Sequence, residues 1–221
     1  MHPVTTASAS PIPVAALVSG GGTNLQSLLD ALRESPLARI VRVVSSQAGA
    51  GALERARRAD VPTTVLRNPA DPDELMAALD DARLAVLAGY LKRVPASVVA
   101  RFRWRLINIH PALLPGFGGR GMYGRRVHEA VLASGARVSG ATVHYVDEEF
   151  DRGPIIAQWP VPVLAHDTPD SLAARVLEVE HQLLPMVVLE LARRGVPPEP
   201  VKLSVKEPDF DETTTRRKGD A

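Results

Sequence analysis

Cysteine is absent from this chain of 221 residues. Disulfides, thiolate nucleophiles and cysteine-ligated zinc are excluded, and a reducing cytoplasm is the expected location. No apolar run reaches the length of a membrane span. The start of the chain lacks the basic stretch and apolar core of a signal peptide. An excess of one charge is missing as well: 26 basic residues face 25 acidic ones, for a net charge of +1. That balance gives no electrostatic case for binding nucleic acid or a membrane surface. The alternating Arg101, Arg103 and Arg105 read as a solvated face. Several site patterns are also missing: the dinucleotide fingerprint, the P-loop, the calcium loop, the HExxH helix and the GxSxG elbow. His128-Glu129 has no second histidine four residues on, so no metal is expected.

What remains is the composition of a globular protein, 45% hydrophobic and 23% charged, and its length suits one domain with one core. Residues 1–13 read as a disordered lead-in and 14–196 as the domain. Residues 197–221, rich in proline and charge, read as a loose extension. Val14–Val18 is a short buried strand ended by Ser19 and three glycines, and Leu25, Leu28, Leu29 and Leu32 then follow at helical spacing. Strand and helix signals keep alternating as far as a strand over Arg105–Ile109. That pattern marks a parallel sheet covered on both faces. Beyond a helix at Val127–Ala133, Val138–Val146 and Ile155–Val163 read as an antiparallel pair completing the sheet. Thr168–Ala192 reads as a long amphipathic helix with a polar cap.

Three constellations carry chemistry. Ser19-Gly20-Gly21-Gly22-Thr23-Asn24 joins a strand to a helix, so free N–H groups and the positive end of the helix dipole suit a phosphate. Asn108-Ile109-His110-Pro111 ends a strand. Period two puts the Asn108 amide and the His110 imidazole on one face, an oxyanion donor beside a group that moves protons near neutral pH. Both stand at the carboxyl end of their strand, where open α/β sheets bind ligands. In the acidic loop Asp147–Pro154, Glu148 and Glu149 suit a solvated tip, and Asp151 is placed to face a site. His144 reads as a structural histidine in a strand. Glu180-His181 is a polar pair that a helix ordinarily leaves solvated.

The ordered motifs VSGGGTNLQ, LERAR, VLAGYLK, NIHPALLP, HYVDEEFDRGPIIAQ and VEHQLLP span about Val14–Leu191. In these the chain resembles the folate-dependent glycinamide ribonucleotide formyltransferases of purine synthesis. The resemblance implies a Rossmann-like three-layer α/β fold, mostly parallel with antiparallel strands in the C-terminal half. It implies transfer of a formyl group from 10-formyltetrahydrofolate to the amine of 5'-phosphoribosylglycinamide, in the cytoplasm, without metal, by a monomer or homodimer. It implies that Asn108, His110 and Asp151 are catalytic. On the mechanism expected from these residues, Asp151 raises the His110 pKa by proximity and a protonated imidazole aids the oxyanion. Gly22, Thr23 and Asn24 would bind the phosphate and Glu180 the glycinamide amine. Leu91, Lys92, Arg93, Val94 and Asn108 would line the folate site.

The chain departs from the family at Leu91-Lys92-Arg93-Val94, where Met-Arg-Ile-Leu is common. It has no clear match for a folate-contacting arginine after the third strand, and it carries a variant loop, Gly116–Gly124. Relatives with the same Asn, His and Asp differ elsewhere. A methionyl-tRNA formyltransferase is expected to add a C-terminal tRNA-binding domain, and a formyltetrahydrofolate hydrolase an N-terminal one. A binding module with no formyl transfer is the rival of a different class.

Overall fold

The structure, a computed structural model, describes residues 10–205. In chain order the elements are β1 (Ile12–Val18), α1 (Thr23–Leu32), β2 (Ala38–Ser45), α2 (Gly51–Arg58), β3 (Thr63–Val65), α3 (Pro72–Ala78), β4 (Leu84–Leu87), α4 (Ala96–Arg101), β5 (Leu106–His110), α5 (Arg125–Ala133), β6 (Val138–Tyr145), β7 (Ile155–Pro162) and α6 (Pro169–Arg193). The strands form one sheet in the order β3-β2-β1-β4-β5-β6-β7. β1 to β5 run parallel, while β6 and β7 are antiparallel additions beyond β5. The expected α/β architecture is therefore present.

Alternation along β1 explains the three layers. Val14, Ala16 and Val18 point to the face covered by α1, α2, α5 and α6, whereas Ala15 and Leu17 point to the face covered by α3 and α4. All five are fully buried, and each of the larger ones contributes roughly 1.5–3 kcal/mol by leaving water. The long helix α6 starts at a Thr168 cap whose Oγ1 accepts from the Ser171 N–H, while the Ser171 hydroxyl accepts from the Thr168 N–H.

β1 begins two residues ahead of its expected start, because Ile12 and Pro13 already pair with Ala38 and Arg39 of β2. The rest of the expected lead-in, residues 1–9, lies outside the described residues, as does 206–221 of the expected loose extension. Within that extension Val201, Leu203 and Val205 pack on the core, and the Leu203 N–H donates to the Ile156 carbonyl of the edge strand β7. No helix among the described residues is long and apolar enough to cross a membrane.

The fold places the chain's polar signals at one end of the sheet. The glycine turn after β1 is seated on the start of α2: the Ala52 N–H donates to the Gly20 carbonyl. Gly22 has φ 76°, and a Cβ there would lie 2.5 Å from the Ala52 Cβ, so only glycine fits both the backbone and the space. Ser19 ties this turn to the end of β4, its N–H donating to the Gly89 carbonyl and its Oγ accepting from the Leu91 N–H.

Candidate active site

One cavity of about 850 Å³ opens at the carboxyl ends of β4 and β5. Its lining includes Leu87, Gly89–Val94 and Val146–Phe150 from the end of β4 and the loops after β4 and β6, and Asn24, Arg125, His128, Leu177 and Glu180 from the helices α1, α5 and α6. Asn108, His110 and Asp151 lie within it. So the structure brings together the expected catalytic set, Asn24, Glu180 and the stretch Leu91–Val94. Gly22 and Thr23 are not on the lining; they form the start of α1 beside it. Leu91, Tyr123 and Phe150, each about half exposed, give the cavity an apolar rim.

Asn108 and His110 project from the same face of β5, as their spacing requires. The antiparallel register puts His144 of β6 directly opposite Asn108. His144 Nδ1 lies 2.8 Å from the Tyr145 carbonyl, a pure acceptor, so Nδ1 carries the proton of the neutral ring. Nε2 is then the acceptor, and the Asn108 amide nitrogen donates to it over 3.1 Å. The bond orients the amide with its nitrogen toward His144 and leaves its second N–H for a ligand. His144 also lies 3.5 Å from Asp151 Oδ1. His144 is thus the buried, hydrogen-bonded strand histidine expected, and it lies beside both Asn108 and Asp151.

Asp151 has a left-handed backbone, φ 58°. Its Oδ2 accepts from the Gly119 N–H at 2.8 Å and lies 3.6 Å from His110 Nδ1. Burial pushes the Asp151 carboxyl up. The contact with His144, the His110 charge and the Gly119 N–H together outweigh burial, and the net direction is down. The variant glycine loop makes this approach possible. A Cβ on Gly118 would meet the Leu114 side chain at 2.5 Å and the Asp151 Cβ at 3.0 Å. The same loop supplies the Phe117 carbonyl, 2.9 Å from His110 Nε2.

His110 thus has acceptors on both ring nitrogens, yet its pKa lies below the ordinary 6.5. Burial is the largest influence and pulls it down, Asp151 and the Phe117 carbonyl pull it up, and the His144 charge adds to the fall. The expectation of a His110 held protonated by Asp151 is corrected. In the open site burial wins, and the imidazole is neutral at pH 7. In an NMR titration the His110 ring signals are expected to shift below pH 6.5. Asp151→Asn removes the largest influence that raises the pKa, so it moves the midpoint further down. A midpoint that rises in the Asn variant would overturn the assignment.

Glu180 is 7% exposed, and its Oε2 accepts from the Asn24 amide nitrogen at 2.6 Å. Burial raises its carboxyl to about 7, against the lowering effect of that bond. The ambiguous polar pair is thus split, with Glu180 buried in the cavity lining and His181 beside it half-buried. Among the described residues no cluster of three or more His, Asp or Glu side chains could hold a metal ion.

A family model described as formyl transferase matches residues 12–188 of this arrangement. The chain belongs to the formyl transferase family. Among members of known structure, a phosphoribosylglycinamide formyltransferase from Anaplasma phagocytophilum superposes with a TM-score of 0.78. It is 38% identical, with 83% of this chain and 87% of that one covered. The chloroplastic phosphoribosylglycinamide formyltransferase of Vigna unguiculata is 42% identical over 192 residues, 83% of this chain. The phosphoribosylglycinamide formyltransferase of Haemophilus influenzae is 37% identical over 184 residues, covering 79% of this chain and 84% of that relative. The chain spans a little under two thirds of the chloroplastic relatives, 62% of the Vigna protein. The matched residues include the whole sheet and the residues of β4 and β5 at the cavity.

Proposed function

We propose that this chain transfers the formyl group of 10-formyltetrahydrofolate to the amine of 5'-phosphoribosylglycinamide, giving the N-formyl product and tetrahydrofolate. The observation that carries the reading is the shape of one cavity. Asn108, His110 and Asp151 share its lining with the exposed apolar Leu91 and Phe150 and the polar Asn24 and Glu180. The rim suits the flat pteridine and aromatic parts of the donor, with Lys92 and Arg93 for its carboxylates. The polar pair suits a sugar, and the glycine turn beside Asn24 a phosphate.

The chemistry follows from the geometry. The amine of the acceptor titrates near pH ~8, so a neutral fraction is available without a strong base. Its lone pair attacks the formyl carbon, and the carbonyl electron pair moves to oxygen. The free N–H of Asn108 donates to that oxyanion. His110, neutral before attack, takes the proton shed by the amine and becomes an imidazolium flanked by Asp151 and the Phe117 carbonyl. It then adds a charge-assisted bond to the oxyanion. Collapse of the adduct breaks the bond to the folate nitrogen, and His110 returns the proton there.

The reaction is tested with purified protein, 10-formyl-dideazafolate and the ribonucleotide, following release of the deformylated folate by absorbance. Release that requires the ribonucleotide is expected. Release without it would point to hydrolysis, and binding of both ligands without release to a binding module.

A further inference from the structure

His128 is not accounted for by the chemistry above. It lies in the first half of α5, is 4% exposed, and lines the cavity. Its Nδ1 is fully buried and has no hydrogen-bond partner among the described residues. A buried imidazole nitrogen left without a partner is costly, so such a ring needs a reason to be there. The ring lines the cavity, and Nε2, unlike Nδ1, is not among the fully buried unpartnered atoms. Burial and the neighbouring His110 charge both hold its pKa below the ordinary value, so it enters the cavity as a neutral ring. The tautomer with its hydrogen on Nε2 presents a hydrogen-bond donor to the cavity.

Its neighbours say which ligand group it meets. His128 comes from α5, which packs on α6, the helix of Glu180, and α6 packs in turn on α1, the helix of Asn24. It is also close enough to His110 for their charges to interact. His128 is therefore a cavity-lining polar side chain close to the reacting centre. We infer that His128 is a substrate-binding residue whose Nε2–H holds the amide carbonyl oxygen of the acceptor, fixing the amine in line with the formyl carbon. The inference rests on the proposed function, since it assumes an acceptor with a carbonyl beside its amine. It adds an acceptor-orienting donor to the oxyanion and proton machinery. An apolar methylene in place of that carbonyl would leave the donor unpaired, so the site would discriminate between the two acceptors.

The experiment is a cycle across enzyme and substrate. Two carbocyclic acceptors are compared, one with the glycinamide carbonyl and one with CH₂ in its place, on wild type, His128→Leu and His128→Gln. In wild type the carbonyl acceptor is expected to win in kcat/KM by roughly tenfold, the worth of one neutral hydrogen bond. In His128→Leu that preference should collapse while the KM of the folate donor stays unchanged. Glutamine places its amide nitrogen near the position of Nε2, so His128→Gln should recover most of the preference. Preference retained in His128→Leu overturns the inference, and so does equal loss with both acceptors. A wild type that turns over neither acceptor overturns the proposed function, and this inference with it.

Discussion

Asn108→Ala is expected to lower kcat by a factor on the order of 10²–10³, the usual cost of removing one oxyanion donor. The loss should fall on kcat, with the KM values of both substrates little changed, because the charge that Asn108 meets exists only after attack. Stability should barely move. Asn108 is half-buried, and its side chain makes one bond, to His144, whose Nε2 then faces water admitted by the cavity. Steady-state kinetics and a thermal melt separate the two effects. Near-wild-type turnover in a folded Ala variant would remove Asn108 from the mechanism. The same logic gives His144 a graded role. Losing it leaves the amide in place but free to turn, so the expected penalty is smaller than for Asn108 itself.

The parts that were legible in the sequence share a physical cause. Strand–helix alternation is a local pattern, and the pairing of Asn108 with His110 follows from the two-residue period of a strand. Asp151 was legible because a loop rich in charge has one member beside Gly153-Pro154 and the next strand. What was not legible depends on register. His144 faces Asn108 because β6 runs antiparallel to β5 with those two residues opposed. No local pattern specifies that pairing. A shift of one residue would turn His144 to the other face of the sheet.

The protonation state of His110 was equally out of reach, for a different reason. A list of neighbours suggests a raised pKa, since Asp151 and the Phe117 carbonyl both favour the charged ring. Only the depth of burial, set by the whole fold, tips the balance the other way. The glycine loop from Gly116 to Gly124 shows the same dependence. Its composition announces a turn, but its use is tertiary: the Gly119 N–H on Asp151, the Phe117 carbonyl on His110, and room for Asp151 at Gly118.

Glu180→Gln is expected to change how stability depends on pH. Glu180 has a folded-state pKa of about 7 against an ordinary value of 4.5. Between these values the folded chain keeps a proton that the unfolded chain has released. Unfolding then releases protons, and stability falls as pH rises. The difference of about 2.5 units corresponds to about 3 kcal/mol lost between pH 4.5 and 7, roughly three-hundredfold in the folding equilibrium. Glutamine has the same shape and no charge, so the variant should lack this slope and be the more stable protein at pH 8. Its amide can also donate to the Asn24 Oδ1, which is buried without a partner among the described residues. Urea titrations of both proteins from pH 4.5 to 8 read the slope directly; equal slopes would mean that Glu180 titrates normally. The gain should be matched by a loss in binding, since the ionised carboxylate is what the polar lining offers to an amine or hydroxyl donor of the acceptor. In Glu180→Gln the acceptor KM should rise at pH 8, where wild-type Glu180 is charged. At pH 6, where wild-type Glu180 is itself mostly protonated, the two proteins should differ much less. A buried acid tuned near neutrality thus sets the stability of the empty site against its grip on substrate, and the two pH profiles should cross the same midpoint.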